Sequence, residues 1–346
     1  MKNRALVIGM IGLLLFSCGK DAIETTPYPL QIPQGLSPMV IPSDNPLTVE
    51  GVELGRKLFY DPLLSKNNSQ SCASCHQQSL GFTDHGLQFS VGVDGIAGDR
   101  NSMPLINLGW SPRFFWDGRA LTLEQQIFQP VTNPIEMNTT WPEVEDKLNA
   151  HATYPDLFYK AFGIERIDSV HVSKAIAQFI RTMISGNSKF DKFLRQQAVL
   201  TPSEMNGLNI YTTEKGDCFH CHGFDGSGQF TDFTFHNNGL DTDAEMTDLG
   251  LMAVTGNPGD KGKFKTPTLR NIEVTAPYMH DGRFTTLQQV IEHYDLGGKP
   301  SSTVDPLMKH VGTGLNLTAQ EKLDLLNFLK TLTDEEFLTD PKFSAP

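Results

Sequence analysis

Short amphipathic segments separated by stretches rich in glycine and proline dominate the pattern of apolar and polar residues along the chain. Apolar residues recur at helical spacing in residues 170–185 and in residues 318–333. Residues 51–60 and 204–211 are predicted to form two shorter helices. With 30 Gly and 21 Pro among 346 residues, the connections are expected to be long loops. The pattern therefore predicts a mainly α-helical protein.

The predicted elements occur twice. The pattern Asp-Gly-Arg-x-x-x-Leu appears at residues 117–123 and again at residues 281–287. A helix is predicted after each copy, and its face has the same phase in both halves: Leu123, Gln126, Ile127 and Pro130 in the first, and Leu287, Val290, Ile291 and Tyr294 in the second. We therefore predict an internal duplication with two mostly helical domains, residues 46–197 and 198–346.

The N-terminus has the pattern of an export signal. A basic start is followed by an apolar run at residues 5–16, which is too short to span a bilayer. The run ends in a segment similar to the bacterial lipoprotein processing box, so residues 1–17 are predicted to be a signal peptide and Cys18 the lipidated first residue. An ordinary signal peptide is the alternative. Residues 18–45 are expected to form an extended tether, and the protein is expected in the periplasm, lipid-anchored to a membrane.

Composition narrows the classes of function. Hydrophobic residues make up 39% of the chain and charged residues 20%, which is typical of a soluble globular protein and excludes a polytopic membrane protein. The 28 Lys and Arg against 40 Asp and Glu give a net charge of −12. Binding to nucleic acid is therefore not expected, because phosphate binding needs a basic surface. An acidic surface suits a basic protein partner, although a solvated acidic surface is equally common.

Four of the five cysteines form a repeated motif. Two segments have the spacing Cys-x-x-Cys-His: Cys72, Cys75 and His76 in the first half, and Cys218, Cys221 and His222 in the second. This spacing is the attachment signature of c-type haem, in which both thiols form thioethers with the haem and the histidine ligates the iron. Disulfides or zinc are the alternatives, but zinc-binding pairs lie much closer together along a chain. We therefore predict two covalently bound haems with His76 and His222 as proximal ligands.

The two haems are expected to differ on the side opposite the proximal histidine. If the repeated helix face covers each haem, Tyr294 and Pro130 occupy equivalent positions. Tyr294 can offer a phenolate oxygen to iron and Pro130 cannot, so the second haem would be six-coordinate and the first would keep an open site. A tyrosine that only packs in the core is the alternative. Four other side chains compete as the second ligand: Met279, His280, His293 and His310.

These motifs resemble those of the bacterial di-haem cytochrome c peroxidases, including the MauG-like enzymes that mature tryptophan tryptophylquinone. The resemblance covers roughly residues 45–335 and rests on six segments: residues 71–76, 81–84, 100–101, 115–119, 133–137 and 276–283. It implies two cytochrome c-like domains, a peroxidatic first haem, and a second haem that relays electrons from a small cytochrome c or another redox protein. Family members are often dimers, so the resemblance also makes a homodimer an expectation to test.

The resemblance assigns roles to individual residues. Glu136 would be the distal acid–base residue of the first haem, moving a proton between the oxygens of hydrogen peroxide so that water leaves. Gln126 and Pro130 would line the same pocket, and Trp116 would lie between the haems. A surface glutamate and a tryptophan that only packs are the alternatives. Three residues match positions that hold a calcium ion, which prefers such oxygen ligands: Asn101, Thr275 and Pro277.

The chain departs from the reductively activated peroxidases at two positions. Those enzymes have a distal histidine on the first haem, where this chain has Val93 nearby, and His85 lies too early to replace it. They have methionine at the position of Tyr294, and a phenolate there should favour Fe(III) and lower the potential of the second haem. The first departure suggests a first haem that is open without prior reduction.

We therefore expect a cytochrome c peroxidase that reduces hydrogen peroxide to water. One alternative is a MauG-like enzyme that uses peroxide to oxidise a protein or organic substrate, as the match at Tyr294 suggests. The other is a non-catalytic di-haem electron carrier, which would need two six-coordinate haems. Glu136, Gln126 and Pro130 on the distal side of the first haem argue against a simple carrier.

Overall fold

The structure, a computed structural model, describes residues 23–84, 86–223 and 228–346. Within these residues, helices joined by long loops form most of the protein. The α-helices are α1 (Val49–Tyr60), α2 (Cys72–Cys75), α3 (Leu123–Thr132), α4 (Trp141–Ala150), α5 (Tyr154–Phe162), α6 (Ser169–Arg181), α7 (Lys189–Leu194), α8 (Pro202–Tyr211), α9 (Met252–Thr255), α10 (Leu287–Asp295), α11 (Ala319–Lys330) and α12 (Glu335–Thr339). Two short antiparallel strands pair with each other: β1 (Phe235–His236) and β2 (Phe264–Lys265). The prediction of a mainly helical protein is confirmed, and α1, α6, α8 and α11 are the four helices read from the periodicity.

Each half is built around one close helix crossing, α1 on α6 in the first half and α8 on α11 in the second. A glycine makes each crossing possible. A Cβ atom on Gly55 would lie 1.9 Å from the carbonyl oxygen of Ala175, and one on Gly207 would lie 2.0 Å from that of Asp324. The duplication seen in the sequence therefore extends to the way the helices pack.

Aromatic side chains fill a separate core around each crossing. In the first half, the rings of Phe59 on α1 and Phe179 on α6 meet edge to face with centroids 5.5 Å apart. In the second half, Phe190 and Phe328 meet in the same way at 5.2 Å. The two cores support the fold of two cytochrome c-like domains.

Packing differs from the expected domain division at two places. Helix α7 precedes residue 198, yet its Phe190 belongs to the second core. Helix α12 follows the second core in sequence, yet Phe337 packs on Phe82 of the first core with ring centroids 5.7 Å apart. The backbone carbonyl of Phe337 also accepts a hydrogen bond from the Gln78 amide. The segment from α12 onward therefore packs on the first half, because Phe337, Leu338 and Phe343 are buried in that core.

Buried polar groups tie the halves together. The guanidinium of Arg270, which is 1% exposed, donates two hydrogen bonds of 2.9 Å to the carboxylate of Asp191. Close by, one Asp334 carboxylate oxygen accepts hydrogen bonds from the Ser185 hydroxyl and the backbone amide of Gly186. These contacts fix the segment that connects the two helix crossings.

The described part of the expected tether, residues 23–45, packs against both halves and does not extend freely. The backbone amide of Val49 donates to the carbonyl of Thr26, and the Trp110 indole donates to the carbonyl of Ser37 at 3.0 Å. Apolar side chains such as Leu36 are half-buried in these contacts, which explains the docking. The predicted signal peptide and Cys18 lie outside the described residues. Among the residues that are described, no helix combines the length and apolar character needed to cross a bilayer.

Candidate functional site

The first Cys-x-x-Cys-His motif lines a cavity of about 550 Å³ in the first half. Cys72 is the first residue of α2 and Cys75 is its last. His76 follows as the C-terminal cap. The same cavity is lined by the other residues predicted for the first haem: Trp116, Gln126, Pro130 and Glu136. The fold therefore brings the predicted residues of this site together around one space.

Hydrogen bonding fixes the orientation of the His76 ring. Its Nδ1 lies 2.7 Å from the backbone carbonyl oxygen of Phe82, whose left-handed backbone (φ 59°) turns that carbonyl toward the ring. Burial lowers the pKa of His76, so the ring is neutral. With the Nδ1 proton donated to the carbonyl, Nε2 keeps its lone pair and is the atom available to a metal.

The wall of the cavity above this motif is helix α3. The Thr122 hydroxyl accepts a hydrogen bond from the Gln125 backbone amide and starts the helix, whose predicted face lines the cavity as expected: Leu123, Gln126, Ile127 and Pro130. Among the described residues, His76 is the only histidine that lines this cavity. Val93, near the position considered for a distal histidine, donates its backbone amide to the Glu136 carbonyl and does not line the cavity.

Glu136 is held by a side chain from the end of α3. The Asn133 amide donates a 2.7 Å hydrogen bond to Glu136 Oε1, and the Ile135 backbone amide donates to Asn133 Oδ1. Burial raises the pKa of Glu136, whereas the hydrogen bond from Asn133 and the charge of Arg119 act in the opposite direction. The result is a partly buried carboxylate with a raised pKa, which is the character expected of a proton-transfer group.

The second motif lines a separate cavity of about 220 Å³ in the second half. Its members Cys218, Cys221 and His222 all contribute to the wall, and Nδ1 of His222 lies 3.2 Å from the Phe230 carbonyl oxygen. Phe230 has a left-handed backbone (φ 53°), as Phe82 has in the first half. His76 and His222 are therefore oriented by equivalent contacts.

Helix α10 forms part of the wall of the same cavity as His222, and the Thr286 hydroxyl accepts a hydrogen bond from the Gln289 backbone amide at its start. Its predicted face lines the cavity: Leu287, Val290, Ile291 and Tyr294. The Asn238 amide donates to the Tyr294 hydroxyl at 3.2 Å and to Met279 Sδ at 3.4 Å. The two leading ligand candidates thus converge on one point of the wall.

The other proposed ligands of the second haem occupy different positions. His280 lines the cavity, but its ring stacks on Phe264 with centroids 3.6 Å apart. His293 lies outside the wall, and its Nε2 is 3.0 Å from the Asn238 carbonyl oxygen. His310 lines the cavity near Met308. Tyr294 and Met279 are therefore the candidates best placed to ligate an iron in this cavity, and His293 is the candidate placed least well.

Trp116 contributes to the walls of both cavities. Its indole donates a 2.9 Å hydrogen bond to the Asn101 carbonyl, and its own carbonyl accepts from the Lys265 backbone amide of the second half. Asn101 in turn donates its backbone amide to the His280 carbonyl. The three residues predicted to hold calcium lie around this junction and line the second cavity: Asn101, Thr275 and Pro277.

The residues present fit two haem groups held by thioethers. All four cysteines of the described residues are free thiols. Each pair lines its own cavity, which excludes both a disulfide between the pairs and a four-cysteine zinc site. His76 and His222 each place Nδ1 near a backbone carbonyl, a contact typical of a histidine that ligates a metal through its other ring nitrogen.

Sequence reasoning missed two features of the site. The segment Phe-Thr-Asp at residues 82–84 is repeated at residues 230–232, and its phenylalanine carbonyl orients the proximal histidine in each half. This repeat was visible in the sequence. His236, which lines the second cavity between Asp232 and Asp305, gave no signal, because one of its partners is distant in sequence.

Comparisons with known proteins agree with this geometry. A family model described as di-haem cytochrome c peroxidase matches residues 49–199. The methylamine utilization protein MauG of Methylorubrum extorquens is 39% identical over 85% of this chain and 81% of its own length. Cytochrome c551 peroxidase of Nitrosomonas europaea is 34% identical over 100% of this chain and 95% of its own. The crystal structure of a MauG-like protein associated with microbial copper homeostasis superposes with a TM-score of 0.85 and 38% identity, covering 92% of this chain and 99% of that one. Similarity at this level over nearly the whole length shows that the chain belongs to the di-haem cytochrome c peroxidase family, whose members bind two c-type haems.

Proposed function

We propose that this protein is a peroxidase that reduces hydrogen peroxide to water with electrons from a small cytochrome c-like donor. The observation that carries the proposal is the difference between the two cavities. Pro130 lines the first cavity on the helix that corresponds to the one bearing Tyr294 in the second. A haem in the first cavity would keep one iron position open for peroxide. A haem in the second would have both positions filled, which suits a group that stores and relays an electron.

The haem-binding residues in this proposal follow the repeated motif. Attachment is through four thiols: Cys72, Cys75, Cys218 and Cys221. His76 and His222 are the proximal ligands through Nε2, and the carbonyl contacts at Nδ1 support this because they fix the ring and increase its basicity. Tyr294 is the second ligand of the second haem, with Met279 as the alternative. When bound, the first haem supplies the iron at which the oxygen–oxygen bond of peroxide is cleaved.

Glu136 carries the proton transfer. Its Oε1 is occupied by the Asn133 amide, and no described residue donates a hydrogen bond to Oε2. Oε2 takes the proton from one peroxide oxygen and delivers it to the other, which leaves as water. In the complete reaction, one hydrogen peroxide takes up two electrons and two protons and gives two water molecules. Gln126, on the same wall, orients the peroxide through its side-chain amide.

Trp116 connects the two haems in this account. Its place on both cavity walls supports a role in passing charge from the second haem to the first. Buried oxygen donors from both halves meet nearby, which supports the assignment of a calcium ion to one set of residues: Asn101, Thr275 and Pro277. Such an ion would hold the loops on either side of Trp116 together.

The proposed location is the periplasm, with a lipid anchor at Cys18 as the attachment to a membrane. The sequence of the lipoprotein-type signal supports this location. A homodimer is part of the proposal on family resemblance. The electron donor is proposed to be a small redox protein whose basic surface complements the net charge of −12.

A second candidate function is the peroxide-driven oxidation of a protein or organic substrate. Two observations favour it: the Tyr294 hydroxyl at the wall of the second cavity, and the identity of 39% to a MauG protein. In this case, the two electrons for peroxide would come from the substrate.

Steady-state oxidation of a donor tests the proposal. The holoprotein is mixed with hydrogen peroxide and a reduced small c-type cytochrome, and two donor molecules should be oxidised for each peroxide consumed. Peroxide consumption without donor oxidation would favour the second candidate. A protein that consumes no peroxide with either kind of electron source would refute both.

A further inference from the structure

A cluster of charged groups lies beside the second cavity and has no part in the proton transfer described above. His236, in strand β1, lies between Asp232 and Asp305. Its Nε2 is 2.7 Å from Asp232 Oδ2, and its Nδ1 is 2.6 Å from Asp305 Oδ2. His236 and Asp305 both line the second cavity, and their side chains are only 15% and 14% exposed.

The geometry requires a positive charge on His236. A neutral imidazole has one N–H group and one lone pair, and an ionised carboxylate only accepts hydrogen bonds. Because both ring nitrogens face carboxylate oxygens, only the imidazolium can donate to both. The Thr234 hydroxyl donates to Asp232 and therefore also presents an acceptor to Nε2. Burial acts to lower the pKa of His236, but its polar partners raise it overall, with Asp232 as the strongest, followed by the Cys221 sulfur and Asp305.

The cluster is rigidly placed next to the haem-attachment segment. His236 pairs with Phe264 in the two-stranded sheet, and the backbone amide of Asp232 donates a 2.9 Å hydrogen bond to the carbonyl of Cys221. The second oxygen of Asp305 accepts from the Leu307 backbone amide, also at 2.9 Å. The Cys221 sulfur is also among the groups that act on the pKa of His236, which places the ring near the attachment point. A haem attached through Cys221 would therefore lie directly beside this charge.

The positive charge of His236 has no counterpart at the corresponding position of the first half. In the repeated Phe-Thr-Asp segment, His236 follows the phenylalanine by six residues, and the corresponding residue in the first half is Gln88. Gln88 is exposed, and its amide donates to the Asp281 carbonyl. The imidazolium is thus a difference between the two haem environments, additional to the difference between Tyr294 and Pro130.

We propose that His236 raises the reduction potential of the second haem. When that haem accepts one electron from its donor, ferric iron becomes ferrous and the site loses one positive charge. A fixed positive charge nearby favours the form with less positive charge, so the imidazolium favours the ferrous state. Two carboxylates, Asp232 and Asp305, flank the imidazolium, so the comparison is with the same site without the charge on His236. Relative to that site, the charge opposes the effect of a phenolate ligand and makes the second haem a better acceptor from a c-type cytochrome. The inference rests on the assignment of the second haem to this cavity.

The inference is tested by potentiometric titration of the holoprotein, in which the absorption of each haem is monitored. Two variants are compared, and they are expected to shift the reduction potential of the second haem in opposite directions. His236→Gln removes the positive charge and should lower the potential of the second haem. Asp305→Asn removes a negative charge while Asp232 still faces the imidazolium, and should raise it. For one unit of charge near a partly buried site, we expect about a tenfold change in the equilibrium constant for reduction, which is 59 mV for a one-electron couple. The potential of the first haem should stay unchanged.

His171→Gln is the matched control, because His171 Nδ1 lies 2.8 Å from a carboxylate oxygen of Asp168 in the first half and His171 lines neither haem cavity. It should alter neither potential. Shifts of the same sign in both cavity variants, or no shift in either, would overturn the inference. If His236→Gln fails to incorporate haem, Asp305→Asn decides alone: a rise supports the inference and its absence overturns it. Peroxide takes no part in the titration, so failure of the proposed peroxidase function would be seen separately.

Discussion

Replacement of Glu136 by glutamine tests the proton-transfer step. The change preserves size and shape, and the new amide oxygen can still accept the hydrogen bond that Asn133 now donates to Oε1 at 2.7 Å. What is lost is an oxygen that can take up a proton. Two other carboxylates line the first cavity, but Asp117 is paired with Arg100 at 2.6 Å, and Asp99 is exposed to solvent. Neither is placed to take over the role of Glu136.

The expected loss of kcat/KM follows from the rate enhancement that general acid–base catalysis provides. A positioned acid–base group contributes about 10²–10⁴-fold to the rate. This range corresponds to about 2.7–5.4 kcal/mol of transition-state stabilisation, at 1.36 kcal/mol for each factor of ten. We expect a loss in the middle of this range, about 10³-fold in kcat/KM. The absorption spectrum of the resting haems should be unchanged.

The assay is the pH dependence of kcat/KM for peroxide. Burial raises the pKa of Glu136 above its ordinary value of 4.5, with Asp99 adding to the effect and Asn133 and Arg119 opposing it. The protonated acid cannot accept a proton, so kcat/KM should be low in acid and rise with pH through this raised pKa. Glu136→Gln should abolish the rise. Asn133→Ala removes a hydrogen bond that stabilises the carboxylate and should move the rise to higher pH. A Glu136→Gln protein that keeps most of its activity, or the same rise, would refute the assignment.

Further changes test the fold and the electron path. Asp191→Asn should lower the free energy of unfolding by about 3–5 kcal/mol, because it leaves the buried Arg270 guanidinium without its carboxylate, and a stability unchanged in denaturant titration would contradict this. The pKa of Asp191 is lowered in the folded protein from its ordinary value of 3.8. The contribution of the ion pair to the free energy of unfolding is therefore complete above pH 3.8 and is lost as the pH falls through the lowered pKa. Trp116→Phe should slow electron transfer between the haems and leave the first reaction with peroxide unchanged in stopped-flow experiments; equal rates would exclude Trp116 from the path. Gly207→Ala should destabilise the α8–α11 crossing by about 1–3 kcal/mol, whereas Gly98→Ala, whose Cβ would meet no atom closer than 3.6 Å, should change the melting temperature little.

Local periodicity was enough to predict the main helices and the two faces that line the cavities. A strip of apolar residues with a helical period must be buried somewhere, and in each half it lies over the cavity that holds the attachment motif. The pattern does not say which core a segment joins. Phe190 and Phe337 lie in the cores opposite to those expected from their place in the sequence, because burial depends on contacts between distant segments. The docking of residues 23–45 was missed for the same reason.

The gathering of each Cys-x-x-Cys-His motif and of Glu136 on a cavity wall could be predicted because these residues lie in short, specific segments. The contacts that give these residues their chemistry could not. The carbonyl of Phe82 that orients His76 depends on a left-handed backbone, and the pairing of His236 with Asp305 spans 69 residues. Asn133 was named only as part of a motif, and its contact with Glu136 appears when the chain turns at the end of α3. These are properties of the folded backbone and not of the local residue pattern.

The central claim is that one haem keeps an accessible iron while the other has both axial positions filled. The most direct test is the electron paramagnetic resonance spectrum of the resting, fully ferric holoprotein, recorded for the parent and for Tyr294→Phe. The account predicts one high-spin and one low-spin haem in the parent, with the low-spin signal altered by the substitution. Two low-spin, six-coordinate haems that do not respond to peroxide would contradict it.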